Sequence, residues 1–287
     1  VDRDSARQIA TFYRFDDSAS RFTSSDTRLN AVWDLCKYSM KATSFCGVFV
    51  DGDRERLPYE ADAYINQLGY YACDREFTIA RHSHEYLMVN PTWPPEWKHH
   101  SVFMAWFDYL YTGDMESLTA HYDRLKREKL LADRARGDGL LDTKGLRDLV
   151  DWPMSERDGY DMKPVNTVYN AFYARSLLLM AEIATALDKA DDAARFRAEA
   201  ARVTAAMNEK LVDPATGLYV DGEGSKHSAL HANMFPLAFG LVPADRRAKV
   251  VEFVKSRGMA CSVYAAQYLM DALFDAGEAA HALSLAL

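Results

Sequence analysis

The chain has 287 residues, 49% hydrophobic and 26% charged, a balance that fits one large globular domain or two smaller ones and excludes a disordered or fibrous protein. A formal net charge of −8 argues against a nucleic-acid partner, and no Lys/Arg run is long enough to suggest a membrane surface. No apolar stretch approaches the roughly 18 residues needed to span a bilayer.

In chain order, residues 1–22 come first and contain the apolar-aromatic run Ile9-Ala-Thr-Phe-Tyr-Arg-Phe15, which predicts a strand or an extended arm. No partner strand follows it. The segment is therefore expected to lean on the body of the protein, or to be the tail of a preceding β domain. It lacks the charged head and apolar core of a leader. That leaves the compartment open, with export or a periplasmic location both compatible, because the chain need not start at its natural beginning.

Nearly everything after residue 22 reads helical. Ser24-Ser-Asp-Thr gives a capping start before Leu29, Val32, Trp33, Cys36 and Met40, spaced as one helix face. Further helices are predicted near 58–72, 74–88, 99–112, 115–132, 165–187, 189–211, 227–240, 244–257, 262–274 and 276–287. Four scattered cysteines, Cys36, Cys46, Cys73 and Cys261, form no CxxC pair and read as buried thiols.

Three segments, Tyr111–Leu118, Leu187–Ala194 and Phe274–Ala280, each combine a helix end, a tight turn and an acidic helix start, and an acid there complements the helix dipole. Repeated helical hairpins mean a solenoid or a closed ring. The longer segments 88–98, 133–164 and 212–226 are rich in Gly, Pro, Trp and Asp. In a ring they would gather at one end and build a site, which favours an α/α barrel.

Residues 51–62, Asp-Gly-Asp-Arg-Glu-Arg-Leu-Pro-Tyr-Glu-Ala-Asp, are the densest chemistry in the chain. Gly52 and Pro58 break regular structure, so 51–57 is a loop feeding a helix that starts near Pro58. Cleaving a glycosidic bond needs one carboxylic acid to protonate the leaving oxygen and one carboxylate to activate water or attack. Glu55, flanked by Asp51 and Asp53, suits the acid, since neighbouring carboxylates raise a pKa. Arg54 and Arg56 pull the other way, and a solvated, salt-bridged loop is the alternative reading.

The same cluster resembles the signature of the α-L-rhamnosidase family, Asp-Cys-Pro-x-Arg-x-Glu-Arg-x-x-x-x-x-Asp. Asp51, Arg54, Glu55-Arg56 and Asp62 are kept, with Asp62 seven positions after Glu55. Gly52-Asp53 replaces the longer Cys-Pro stretch, and Tyr59 stands where the family has tryptophan. The segment from Phe22 to Trp33 is similar to the family's entry to its first barrel helix. Asp151-Trp152 is similar to its Gly-Asp-Trp loop, with Val150 in place of Gly, and Phe235–Pro243 to a later helix end. The resemblance covers about residues 22–287.

It implies an all-α fold, an (α/α)6 six-hairpin barrel over 23–287 that is incomplete at the C-terminal end, behind the arm 1–22. It implies inverting hydrolysis of terminal α-L-rhamnose, with Glu55 as general acid and Asp51, Arg54 and Asp62 holding rhamnose hydroxyls. Trp152 would stack on the sugar beside Asp151, and no metal or organic cofactor is called for. The family's general base is a late glutamate in a Thr-x-x-Glu-x-Trp-like stretch, which residues 1–287 do not contain. The base, together with a β-sandwich and C-terminal portions, is thus expected outside this chain, which alone should not turn over substrate.

Other constellations are weaker. His227-Ser-Ala-Leu-His231 would put two imidazoles on one helical face. Ser228 stands where a metalloprotease helix has Glu, so a sugar-cleft or structural role outranks metal. Trp93-Pro-Pro-Glu-Trp97 is a rigid loop whose Trp97 could wall a cleft or plug the fold, and 16 Tyr with 5 Trp suit either a core or sugar stacking. His82, His84, His99 and His100 show no partner pattern and read as surface residues. The competing functions are another α/α-barrel glycosidase, such as an unsaturated glucuronyl hydrolase, and a non-catalytic carbohydrate-binding domain.

Overall fold

The computed structural model describes residues 5–7, 9–52 and 54–287, so Asp53 and part of the arm lie outside the described residues. Among the described residues there are eleven α-helices, no β-strand and only isolated bridges, such as Asn166 with Gly222. None of these helices is long and apolar enough to cross a membrane. The backbone divides into two compact units, residues 1–89 and 90–287.

In the first unit, helix α1 (Thr27–Ala42) packs on α2 (Glu60–Cys73), which packs on α3 (Thr78–Val89). Asp26, within the expected capping stretch, caps α1 by accepting the Arg28 N–H. No residue of α1 is buried, whereas α2 buries most of its length and is the core of the unit. The described part of the arm forms no strand. It leans on the helices: the Tyr13 N–H donates to Ser44 Oγ at 3.1 Å, and the Tyr70 hydroxyl donates to the Arg14 carbonyl at 2.8 Å. Phe15 meets the Tyr70 ring edge-on at 5.3 Å.

The second unit repeats one motif, a buried helix followed by a more exposed one. The pairs are α4 (His100–Thr112) with α5 (Glu116–Arg124), α6 (Thr167–Ala186) with α7 (Ala190–Lys210), α8 (Leu230–Ala238) with α9 (Ala244–Arg257), and α10 (Val263–Asp275) with α11 (Ala279–Ala286). The first members also pack on each other in the order α4, α6, α8, α10. Their shared surface is aromatic: Phe103, Phe172, Phe235, Phe239 and Tyr268 form a continuous set of ring contacts.

All four hairpin turns use a left-handed residue to end the first helix, namely Gly113, Asp188, Gly240 and Gly277. At the last three, paired backbone bonds close the helix end. Asp188 N–H goes to the Thr185 carbonyl and Lys189 N–H to that of Ala184, with equivalent pairs at Gly240 and Gly277. The regularity read from three turns in the sequence is thus fourfold.

Two expectations need correction. His84, His99 and His100 are buried, not on the surface. His100 donates to or accepts from the Tyr268 hydroxyl at 2.8 Å, and desolvation pushes both His99 and His100 down to about 3, so they serve as neutral core rings. Of the cysteines, only Cys73 and Cys261 are buried; Cys36 and Cys46 are exposed, and all four are free thiols.

Candidate active site

In the first unit, the loop 51–57 is pinched shut at its base. The Asp51 N–H donates to the Leu57 carbonyl at 3.0 Å, and the Leu57 N–H returns to Asp51 Oδ1 at 3.1 Å. Gly52, at φ 122°, supplies a backbone conformation that a side chain would resist. Within this loop Glu55 is held on both oxygens: Arg54 donates to Oε1 at 2.5 Å and the Tyr59 hydroxyl to Oε2 at 2.8 Å. The Glu55 side chain keeps 36% of its surface open to solvent. Arg56 lies over the Phe45 ring at 5.5 Å.

Tyr59 was noted in the sequence only as a substitution, yet it orients the predicted acid. Burial, followed by its bond to Glu55, pushes its hydroxyl up to about 12, so it stays a donor throughout the working pH range. The carboxyl group carried to near neutrality is Asp62, in the first turn of α2. Burial raises it first and the charges of Asp51, Glu55 and Glu60 add to this, to about 7.

Between the ordinary value of 3.8 and about 7, the folded protein therefore keeps an Asp62 proton that the unfolded chain has released. Stability from this group is full at low pH and is lost as pH rises through that window, by up to about 1.4 kcal/mol per pH unit. Urea midpoints of Asp62→Asn should change less between pH 4 and 8 than those of the parent. Parallel profiles would mean that Asp62 titrates normally.

In the second unit, the long loops between hairpins interlock at the N-terminal ends of α6, α8 and α10. The centre is Asp151, fully buried. Its Oδ1 accepts from the Trp152 N–H at 2.8 Å and from the Ser262 hydroxyl; its Oδ2 accepts from His231 Nε2 at 2.6 Å and the Ser262 N–H at 3.0 Å. Ser262 in turn caps α10. Asp151 thus ties the loop to α8 and α10, and leaves Trp152 beside it with 51% of its surface exposed.

A second buried carboxylate, Asp221, accepts from the Ala229 N–H at 2.7 Å and from His227 Nδ1 at 2.7 Å. Asp158 takes the Leu230 N–H at 2.7 Å and pairs with Arg257. These two acids satisfy free donors at the start of α8, which accordingly begins at Leu230. His227 therefore lies outside the helix, exposed and oriented by Asp221, while His231 is buried on Asp151. The two imidazoles do not form the helical pair that their spacing suggests. Trp97 is also buried, edge-on to Tyr264 at 5.8 Å. The indole left open in that loop is Trp93, covered on one face by the Arg147 guanidinium at 4.1 Å.

The first unit thus carries Asp51, Arg54, Glu55 and Asp62 in one loop-helix corner. The second brings Asp151, Trp152 and His231 into one network, with His227 on the neighbouring Asp221. The acids Asp158 and Asp221 had no signal beyond their residue types, and Tyr59 had only its place where the resembled family has tryptophan. Among the described residues no group of His, Cys, Asp and Glu could hold a metal ion.

A family profile described as the bacterial alpha-L-rhamnosidase 6 hairpin glycosidase domain matches residues 17–287. Among solved structures, the chain is similar to the GH78 family rhamnosidase of Bacillus sp. GL1, with 20% identity and a TM-score of 0.84 over 95% of this chain and 31% of that one. It is similar to a Klebsiella oxytoca rhamnosidase with rhamnose bound, at 17% identity and a TM-score of 0.79, covering 91% of this chain and 54% of the other. A Streptomyces avermitilis α-L-rhamnosidase complexed with L-rhamnose matches at 16% identity and a TM-score of 0.71, with 91% and 26% covered. At these identities the likeness is one of fold. No curated protein sequence matches the chain.

Proposed function

The chain belongs to the bacterial α-L-rhamnosidase six-hairpin glycosidase family, and on that premise we propose that it supplies the acid-bearing domain of an inverting α-L-rhamnosidase. The observation that carries this reading is the fixing of Glu55. Both its oxygens are bonded, to Arg54 and Tyr59, and one edge of the side chain stays open to solvent. A general acid needs that combination of a set direction and an open approach.

In this reading Glu55 gives its proton to the glycosidic oxygen as the bond to the rhamnose ring breaks. Water enters from the opposite face, activated by a second carboxylate about 6.5–9.5 Å away, as inversion requires. No residue is assigned to that base. Asp62, Asp51 and Arg54 bind sugar hydroxyls, and a protonated Asp62 can donate as well as accept. In the second unit, taken by itself, the exposed face of Trp152 suits the apolar C–H side of a sugar, with Asp151 fixing its backbone. His231 positions Asp151, and the Asp221-oriented His227 offers a polar contact to substrate. Trp97, being buried edge-on to Tyr264, packs inside the second unit rather than touching sugar. No organic cofactor is assigned a role.

The test is an assay of the intact protein on nitrophenyl α-L-rhamnoside against an unsaturated uronide. Release of nitrophenol from the first with an inverted β-rhamnose product, seen by NMR at early times, is the expected outcome. Turnover of the uronide alone, or a retained anomer, rules the proposal out.

A further inference from the structure

Just ahead of Trp152 the backbone makes an unusual bend. Val150 has φ 65°, and the Asp151 N–H reaches back to the Leu149 carbonyl at 2.8 Å, closing a three-residue turn around it. Such a turn is rare and strained, and a β-branched residue at its centre adds to the strain. Strain of this kind persists only where the surroundings impose it. Here each neighbouring N–H has an assigned acceptor: Leu149 bonds the Tyr169 hydroxyl at 2.9 Å, Val150 bonds Glu96 Oε1 at 3.0 Å, and Trp152 bonds Asp151 Oδ1.

Glu96 is the unexpected member. It sits on the short helical turn Glu96–His99 that leads into α4, is fully buried, and its Oε2 has no hydrogen-bond partner. A buried carboxylate with one bare oxygen is costly, whereas a carboxylic acid is not charged and can still accept the Val150 N–H. The groups facing it oppose ionisation. Asp148 stands nearby on the loop, and the Tyr169 hydroxyl of α6 contacts both carboxyl groups but has one proton to give. Tyr160 is a further acidic group within electrostatic reach, and His99 on the same turn is neutral.

We propose that Glu96 is a positioning residue whose uncharged carboxyl group clamps the strained turn at Val150, so that the placement of the Trp152 indole depends on one buried proton. The sugar-binding consequence rests on the role given to Trp152 above; the clamp itself does not. Desolvation, then the Asp148 charge, lifts the Glu96 carboxyl to about 8. Above that pH the Val150 N–H still favours the carboxylate, but the second oxygen becomes a bare buried charge, and the loop opens to hydrate it.

The test follows the fluorescence of Trp152, taken as the difference between the parent and Trp152→Phe, with acrylamide quenching from pH 6 to 9.5. The parent should show a rise in quenching centred near pH 8 while far-ultraviolet circular dichroism stays constant. Glu96→Gln, which keeps the size and the acceptor but cannot ionise, should abolish the transition. Tyr169→Phe removes a donor that favours the charged form and should move the midpoint upward, which serves where Glu96→Gln does not fold. A transition unchanged in either variant, or absent from the parent, overturns the proposal. L-rhamnose binding, measured by calorimetry on the same proteins, separates the two readings. A quenching transition without any rhamnose binding keeps the clamp and removes the sugar-binding role.

Discussion

In the intact protein, Glu55→Gln should lower kcat on a rhamnoside with a sugar or alkyl leaving group by at least about 100-fold, the usual scale for loss of a general acid, with KM little changed. Gln keeps the length and the acceptor facing Arg54 and Tyr59, so the loop closed by Asp51 and Leu57 should persist. What disappears is the proton. The loss should therefore depend on the leaving group. A nitrophenolate departs with little help, whereas a sugar or alkyl alcohol must be protonated as it leaves. The deficit should accordingly be larger on a natural rhamnoside than on the aryl one. Equal activity of Glu55→Gln and parent on both substrates would favour a carbohydrate-binding domain instead.

Asp151→Ala should destabilise the protein by roughly 3–5 kcal/mol, the range for removing one partner of a buried charged network. The reason is a count of donors. The Trp152 N–H, the Ser262 N–H and hydroxyl, and His231 Nε2 all converge on this one carboxylate, which is itself fully buried. Each donor left bare costs about 1–3 kcal/mol, and relaxation recovers part of the total. Asp151→Asn should be milder. It keeps one carbonyl acceptor but turns an amide against donors on its other side, so roughly half the loss is expected. Urea midpoints of the three proteins check the order. An Asn variant as unstable as Ala would mean that charge, not donor satisfaction, dominates. A parent-like Ala variant would mean that water enters and the network is not buried in solution.

How much of this was legible in the residues differs from place to place. The turns at Gly113 and Gly277 announced themselves because glycine alone takes a left-handed conformation freely, and an acid follows each. The turn at Asp188 carries the same backbone pattern with a side chain that tolerates it. The 51–62 corner was legible as well, since Gly52, Pro58 and the acidic-basic alternation lie within one short stretch. His227 and His231 were not. Their spacing continues the helical period, yet Asp221, on the loop just before the helix, and Asp158, 72 positions from Leu230, fix where α8 starts. His99 and His100 misled for a related reason: a histidine on a helix face looks polar until aromatic neighbours from other helices surround it.

The order of amino acids alone thus determined the helical hairpins, their turns and the loop that bears Glu55, because these depend on local periodicity, left-handed residues and chain breaks. Only tertiary structure decided which acids are buried, which carry a proton near neutrality and which indole stays open. Those properties belong to the company a side chain keeps. Asp62, Glu96 and Asp151 are ordinary carboxylic acids in the sequence, and their differences arise from desolvation and from donors supplied by segments far away along the chain.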